Sequence, residues 1–459
     1  MGSPNAYHII NGGARKPEME ILAIRSKPMI YSRARILLLL AFMITSPLLL
    51  MLHCSSGGRS IPPSSKTIAQ IQVTGEPVIV FDHTKDKQEP DNIPDAQITA
   101  WREADGTVNL LIPHREAYRM RGPDLEHLTI DPHKIYSSSQ SGGQTPEDLY
   151  NYNHWLMGPY SLDGQHFYSL THSEWYACLL NGDCSQTAAD GNSAELNSWV
   201  TTVNSMVSAD GGSSWHLNWA SGNHVVAKTG YHWTGSEALA SKIYLHALNH
   251  TGMFQPTRVI KEGDYNYAIG FHIHRDFTQI DPTHGVYQAP VDKYGYALMR
   301  TNDITNPNGW QAWTGGSTYE PLSNLNFAVF LPQQNGATLN AAPPQIIYDT
   351  NAQCYVLIHT LFGGSNAVYY MTTKSLANPG WSQSTPILGT AQLLTDPGGP
   401  VQGFNDGNYP SILDTNSSGF NFEFTNGSPL LFYNTSPGQY GGDNLARDVY
   451  RVQLSITYQ

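Results

Sequence analysis

Between Ile98 and Tyr433 the chain repeats one pattern of apolar and polar positions. An alternating apolar run meets a short Asp/Asn/Gly turn, and a second such run returns. The pattern reads ITAWREADGTVNLLIPH, PYSLDGQHFYSLTH, RVIKEGDYNYAIGFHIH, QIIYDTNAQCYVLIHT and SILDTNSSGFNFEFT, with turns near Asp105, Asp163, Gly263, Asp349 and Asp414. Period-two alternation around such turns predicts β-hairpins. Four copies continue into a third run and a turn that opens polar and often closes on Trp: RGPDLEHL, VSADGGSSW, MRTNDITNPNGW and MTTKSLANPGW. Amphipathic helical periodicity is nearly absent.

Each repeat therefore predicts a small antiparallel sheet that cannot bury itself alone. Five of them in series predict an all-β fold, a five-bladed β-propeller of four-stranded antiparallel blades over residues 69–459. Packing small sheets radially also suits a chain too long for one simple core. The ring is expected to close by the late strand Arg447–Ile456 pairing near the early strand Ile71–Phe81, because an open first or last sheet leaves bare edges.

In a propeller the hairpin turns lie on one face of the disc, and the residues entering each innermost strand and leaving its partner ring the funnel on the other. The entering residues are Asp95, His154, Gln255, Gln345 and Asp406 with Tyr409. The leaving residues are His114 with Arg115 and Glu116, His172 with Glu174, His272 with His274 and Arg275, His359, and Glu423. Titratable groups thus converge where a ligand pocket belongs. A single strand-end His is more often a hydrogen-bonded loop residue than a catalyst, so the set of four carries more than any member. In FNFEFT, Phe420, Phe422 and Phe424 share one side and Glu423 points opposite, towards the axis, where a charge must be paired or used. Glu174 sits among His172, Trp175 and Tyr176; aromatic rings beside a carboxylate suit a sugar, or else a packed cluster between blades. Asp95, in NIPDAQITAW, reads equally as a turn residue.

The first residues read as targeting. Ile36–Leu52 is apolar and uncharged behind Arg33 and Arg35, the pattern of a signal peptide, and Met29 offers a second start. Residues 1–54 are assigned to this segment and 55–68 to a Ser/Gly/Pro linker. Cys54, followed by Ser55-Ser56-Gly57-Gly58, is placed like the lipidated Cys of a bacterial lipoprotein, although Met51-Leu52-His53 lacks the usual small residues. The expected location is secreted, periplasmic or cell-surface, with a lipid anchor at Cys54 as one route. Cys178 and Cys184 flank Asn181-Gly182 and are expected to pair in an exported protein; Cys354 reads as a buried strand residue. With 37 acidic against 25 basic side chains and a net charge of −12, the chain argues against nucleic acid as partner. A monomer is expected.

The segment VSADGGSSW matches the Asp-box of sialidase-type propellers at Ser208, Asp210, Gly212 and Trp215. The wider layout resembles the five-bladed glycosidases of arabinanase, invertase and levansucrase type. That resemblance implies a catalytic Asp ahead of the first innermost strand, the position of Asp95, and a proton-donating Glu from a later blade, Glu174 or Glu423. No catalytic motif of those families matches residue by residue, and the sialidase arginine triad is not found. His154, His172, Tyr244 and Arg275 also look like the equipment of propeller-fold polysaccharide lyases. Glycoside hydrolysis needs two carboxylates across the bond; a lyase needs a His or Tyr base beside a cation that neutralises a uronate. A non-catalytic glycan-binding propeller is the third reading. Hydrolysis of a poly- or oligosaccharide is the first, with Asp95, Glu174 and Glu423 catalytic and His114, His154, His172, Trp175, His272, Arg275, His359 and Tyr409 contacting substrate. No cofactor or metal ligand set is read; the axial channel leaves room for a structural calcium, but no loop has EF-hand spacing.

Overall fold

A computed structural model of the chain describes residues 66–89, 93–138, 150–176, 199–228, 251–275, 291–324, 327–339, 341–361, 365–393, 409–435 and 446–459. The expectations for the signal segment, Cys54, the pairing of Cys178 with Cys184, Tyr244 and Asp406 lie outside them. The described residues are almost all strand. Their helices are single turns at Pro307–Gly309, Leu322–Asn324 and Thr390–Leu393.

The first repeat forms as the pattern predicts. Ala100–Arg102, Val108–Ile112, Glu116–Gly122 and Thr129–Ser137 make one four-stranded antiparallel sheet in chain order. Its hairpin closes because Asp105 Oδ1 accepts from Thr107 N at 2.9 Å and Gly106 takes the left-handed backbone (φ 94°) that the turn requires. The fourth repeat is built alike, from Gln345–Asp349, Cys354–Leu361, Ser365–Thr373 and Thr385–Pro386, and Cys354 is buried.

The second and third repeats depart from the expectation of separate sheets. His154–Ser161, Phe167–Tyr176 and Trp199–Ser208 run antiparallel, as do Ile260–Glu262, Tyr265–Arg275, Val291–Thr301 and Gln311–Gly315. Between them Thr251–Phe254 pairs parallel to Trp199–Ser208 and antiparallel to Tyr265–Arg275, welding both repeats into one eleven-stranded sheet. Gly252 permits this approach: a Cβ there would stand 2.0 Å from the Thr201 carbonyl oxygen.

The fifth repeat corrects the sequence reading. Ser411–Leu413 pairs with Leu430–Thr435, not with the FNFEFT segment. Leu430–Thr435 pairs with Asp448–Tyr458, and that last strand pairs with both Ile68–Val73 and Val78–Phe81. The expected junction of late and early strands is therefore present, with Ile71 opposite Ile456 and Phe81 opposite Val449.

Residues 414–429 are instead an excursion that visits every repeat in order. Arg102 N donates to Phe420 O at 2.8 Å, and Ser161 N to Asn421 Oδ1 at 2.7 Å. The buried Arg258 guanidinium donates to Phe422 O at 2.6 Å and to Ile412 O at 2.7 Å. Tyr348 N donates to Glu423 O at 2.9 Å, and Ile456 N to Gly427 O at 2.9 Å.

The apolar core follows the same circuit. Trp101, Leu111, Leu156, Phe167 and Met206 join the first and second repeats. Tyr160, Leu170, Val203, Val259 and Met299 join the second and third. Phe271, Tyr296, Ile346 and Leu357 join the third and fourth. Ile347, Val356, Ile412, Leu431 and Val452 join the fourth and fifth. Ile98, Leu110, Leu413 and Phe432 join the fifth back to the first. Each such side chain stabilises by roughly 1.5–3 kcal/mol, so the joints between repeats are where the fold is held.

Candidate active site

Asp95 lies five residues upstream of the Ala100–Arg102 strand, at the end opposite its hairpin turn. Its backbone N–H donates to Pro113 O at 2.9 Å, which sets it beside His114. Asn434 Nδ2 donates to Pro94 O at 2.8 Å and anchors the segment on the fifth repeat. The Asp95 carboxylate is surrounded. Oδ1 pairs with the Arg447 guanidinium and lies 3.5 Å from the Tyr409 hydroxyl. Oδ2 accepts from Trp155 Nε1 at 3.3 Å and stands 3.6 Å from His114 Nε2. Burial pushes the Asp95 pKa up, but the positive charges of Arg447 and His114 outweigh it, and the net shift is downward. The group is a carboxylate at neutral pH.

From Trp155 the site continues into the second repeat. The Trp155 ring stacks on His172, with centroids 4.7 Å apart and planes 4° from parallel, and His114 meets its edge at 5.7 Å. His172 Nε2 lies 2.9 Å from Glu174 Oε1, and the Tyr176 hydroxyl donates to Glu174 Oε2. His172, Glu174 and Tyr176 share one face of the Phe167–Tyr176 strand by period-two alternation. Both carboxylates are thus reached from one aromatic pair, Asp95 through the indole N–H and Glu174 through the imidazole.

Of the residues expected to meet here, Asp95, His114, His172, Glu174 and Tyr409 do. Others do not. Trp175 points to the opposite face of its strand from Glu174, so the ring beside the carboxylate is Tyr176. His154 is buried and held between Tyr136 Oη (3.2 Å), Tyr150 O (3.1 Å) and Asn204 Nδ2 (3.0 Å); burial lowers its pKa to about 3. His359 is fixed by Ser384 Oγ at 2.9 Å and Thr360 O at 3.1 Å and stacks on Tyr369; it fills the structural role weighed for a repeated strand-end His. His272 stands on the third repeat. Arg275 ends that strand, and its side chain lies outside the described residues.

Glu423 is the main correction. It does not leave an innermost strand towards the funnel. Its carboxylate Oε2 accepts from Lys261 N at 3.2 Å, next to the Gly263 hairpin, at the turn end of the fold. Phe422, in left-handed backbone (φ 52°), breaks the FNFEFT alternation, and Phe424–Thr425 pairs parallel with Tyr348–Asp349 of the fourth repeat. The Ser208–Trp215 turn is also at that end, bonded through Gly211 to Trp101 Nε1 and Gln165 O.

Two members of the site escaped the sequence reading, Trp155 and Arg447. Trp155 follows His154 directly; the clue was an indole one position past a residue entering an innermost strand. Arg447 opens the last strand; the clue was a cation at a strand end in a chain with few of them.

Among the described residues, Asp82, His83 and Asp448 could bring three ligand atoms within 4.8 Å of one another. Lys85 Nζ holds Asp82 at 2.5 Å and His83 Nδ1 holds Asp448 at 2.7 Å. Two carboxylates already engaged by Lys85 and His83 do not match the six or more oxygens that calcium takes.

No family model matches the chain, and no curated protein matches it. Solved structures similar to it include a protein of unknown function from Dyadobacter fermentans (10% identity, TM-score 0.43, 85% of this chain and 100% of that one). They also include an endo-1,5-α-L-arabinanase from Thermotoga petrophila (12% identity, TM-score 0.42, 83% and 75%). A third is the catalytic domain of a GH62 α-L-arabinofuranosidase from Coprinopsis cinerea (12%, 0.40, 85% and 98%).

Proposed function

We propose that the chain is a five-bladed β-propeller glycoside hydrolase, acting on a poly- or oligosaccharide, with Asp95 as base and Glu174 as acid. The propeller reading is supported by the five core joints, which run from the first repeat round to the fifth and back. The catalytic reading is carried by one observation: two carboxylates flank a single aromatic pair and are held by different partners. Arg447 and His114 keep Asp95 ionised, as a base must be. Glu174 shares a hydrogen bond with His172 and accepts another from Tyr176, which fix the carboxyl assigned here as the acid for the leaving oxygen. Trp155 and His172, buried and stacked face to face, stand between the two carboxylates and hold them apart. A water activated by Asp95 then attacks the anomeric carbon from the opposite side. Glu423 has no part in this. Secretion, and a lipid anchor at Cys54, remain the proposed route to a glycan substrate outside the cell.

A second reading has its own observation. Tyr176, Glu174 and His172 form a hydrogen-bonded relay with Arg447 and His114 nearby, equipment that β-elimination on a uronate also uses. One experiment separates the two. Asp95→Asn and Glu174→Gln should each lower the release of reducing ends by about two orders of magnitude or more, with no unsaturated product. Absorbance of an unsaturated uronate that survives in Asp95→Asn and vanishes in His172→Ala would replace hydrolysis with elimination. No turnover by the wild-type chain on a broad glycan panel, with binding intact, would leave a binding protein.

A further inference from the structure

We propose that the third repeat carries a subsite for an anionic substituent, carboxylate or sulfate, of the glycan. This rests on the hydrolase reading and names its substrate class. His272, His274 and Lys293 share one face of the sheet. His274 is the register partner of Lys293, and His272 lies two residues back on the same strand. The register partner of His272 is Gly295, which adds no side chain to that face.

His272 is 2% exposed, and neither ring nitrogen has a hydrogen-bond partner among the described residues. The edge of Phe327 lies against it, centroids 4.5 Å apart. An unpaired buried polar group of this kind is unfavourable, and such an orphan points to a partner that arrives from outside. Burial, with the nearby charges of His274 and Lys293, lowers its pKa to about 3, so it stands neutral with one N–H to donate. Lys293 supplies the charge. Its Nζ reaches Phe327 O at 3.4 Å and lies over the Phe327 ring at 5.2 Å, and it forms no ion pair among the described residues. In a chain of net charge −12, a half-buried ammonium that no carboxylate of the described residues meets is a donor suited to an anion.

The spot is at the correct end. The Tyr265–Arg275 strand turns at Gly263, so its His272 end lies with Asp95 and Glu174 rather than with Glu423. Phe254 joins the two places: its ring lies 6.3 Å from His172 and 5.0 Å from Phe271, the neighbour of His272. A glycan held at the Asp95–Glu174 cluster therefore has a polar landing point one repeat further on. No acid of the described residues competes for it.

The test is calorimetric binding to the full chain of three oligosaccharides equal in length and linkage: a neutral galactan, a galacturonan and a sulfated galactan. At least one acidic probe should bind about tenfold tighter than the neutral one, the scale of a hydrogen bond to a charged group. Which of the two gains identifies carboxylate or sulfate. Lys293→Met and His272→Phe should each erase the preference while neutral binding holds, and Lys293→Arg should keep it. Equal binding of all three probes, or a preference that survives both Lys293→Met and His272→Phe, overturns the subsite. Failure of the hydrolase reading shows elsewhere, as reducing-end release that Asp95→Asn leaves intact.

Discussion

Asp95 and Glu423 are both largely buried carboxylates, and the fold treats them in opposite ways. At the mouth end Asp95 meets side chains: a guanidinium, an imidazole, an indole and a phenol. At the turn end Glu423 meets backbone, with Lys261 N as its hydrogen-bond donor. Both are largely removed from water. Burial is the leading influence on each, and it pushes both pKa values up. Around Asp95 the charges of Arg447 and His114 reverse the sign. Around Glu423 the Lys261 hydrogen bond and the charges of Arg258 and Lys261 do not, and the pKa rises to about 7. A buried carboxylate is thus not a functional signal until its partners are known; what separates the two here is a cation in contact, which holds one ionised while the other is pushed towards neutrality.

The sharpest way to break that contrast is to take the cation from Asp95. Arg447→Met removes the charge that favours ionisation, so the Asp95 pKa should rise. A base protonated over a wider acidic range moves the acidic limb of kcat/KM to higher pH. Activity should fall tenfold or more near pH 5 and much less near pH 8. A pH–rate profile that drops evenly at all pH values would mean that Arg447 contacts substrate instead of tuning Asp95.

At the turn end the larger effect belongs to Arg258. Its guanidinium donates to Phe422 O and Ile412 O, tying the 414–429 excursion to the Ser411–Leu413 strand of the fifth repeat. Arg258→Met leaves two buried carbonyls without their charged donor, and stability should fall by about 3 kcal/mol or more. Denaturant unfolding reads this directly. Turnover measured well below the melting temperature should stay within about twofold, because nothing at Arg258 touches the Asp95–Glu174 cluster.

Glu423→Gln comes next, and its sign depends on pH. The carboxyl is neutral more readily in the fold than at its ordinary value of 4.5. The folded state therefore holds the proton more tightly. Stability is fullest below about 4.5 and is lost as pH rises towards about 7, by on the order of 2–3 kcal/mol. Gln keeps the acceptor for Lys261 N and cannot ionise. The variant should match wild type near pH 4.5 and exceed it near pH 8, as melting temperatures across that range would show. A variant less stable at pH 8 would mean that the Glu423 carboxylate is favourably paired with Arg258.

The two sides of this contrast differ in how legible they are in the amino-acid sequence. The hairpins are legible because apolar alternation and Asp/Gly turns encode strand and reversal locally. Asp95 and Glu174 follow from those, since a strand's ends are known once its turn is. Glu423 is misread for a related reason. FNFEFT has a strand's alternation, but alternation does not encode which strand is the partner. The left-handed backbone at Phe422 and the parallel pairing of Phe424 with Tyr348 go with contacts to the third and fourth repeats. Trp155 and Arg447 are missed because each acquires its role only against a residue 60 or 352 positions away. The welding of the second and third repeats through Thr251–Phe254 has the same origin.

The smallest expected effect concerns the ring of strand-end histidines, of which the cluster uses only part. His359 shares its position in the repeat with His172, yet no carboxylate of the described residues pairs with it. Ser384 Oγ and Thr360 O engage its two nitrogens, Tyr369 stacks on it, and Tyr296 meets its edge at 6.4 Å. Burial lowers its pKa to about 4, so it is neutral in the fold at neutral pH. The unfolded chain binds that proton more readily, so this group withdraws stability as pH falls from about 6.5 towards 4. His359→Gln retains donor and acceptor capacity and removes the titration. Turnover at pH 7 should stay within about twofold, and stability at pH 7 should change by about 1 kcal/mol, the net worth of one hydrogen bond. Near pH 4.5 the variant should lose less stability than wild type. A hundredfold loss of turnover at pH 7 in His359→Gln would place the chemistry on the fourth repeat and dissolve the distinction between His172, poised against Glu174, and a histidine that only packs.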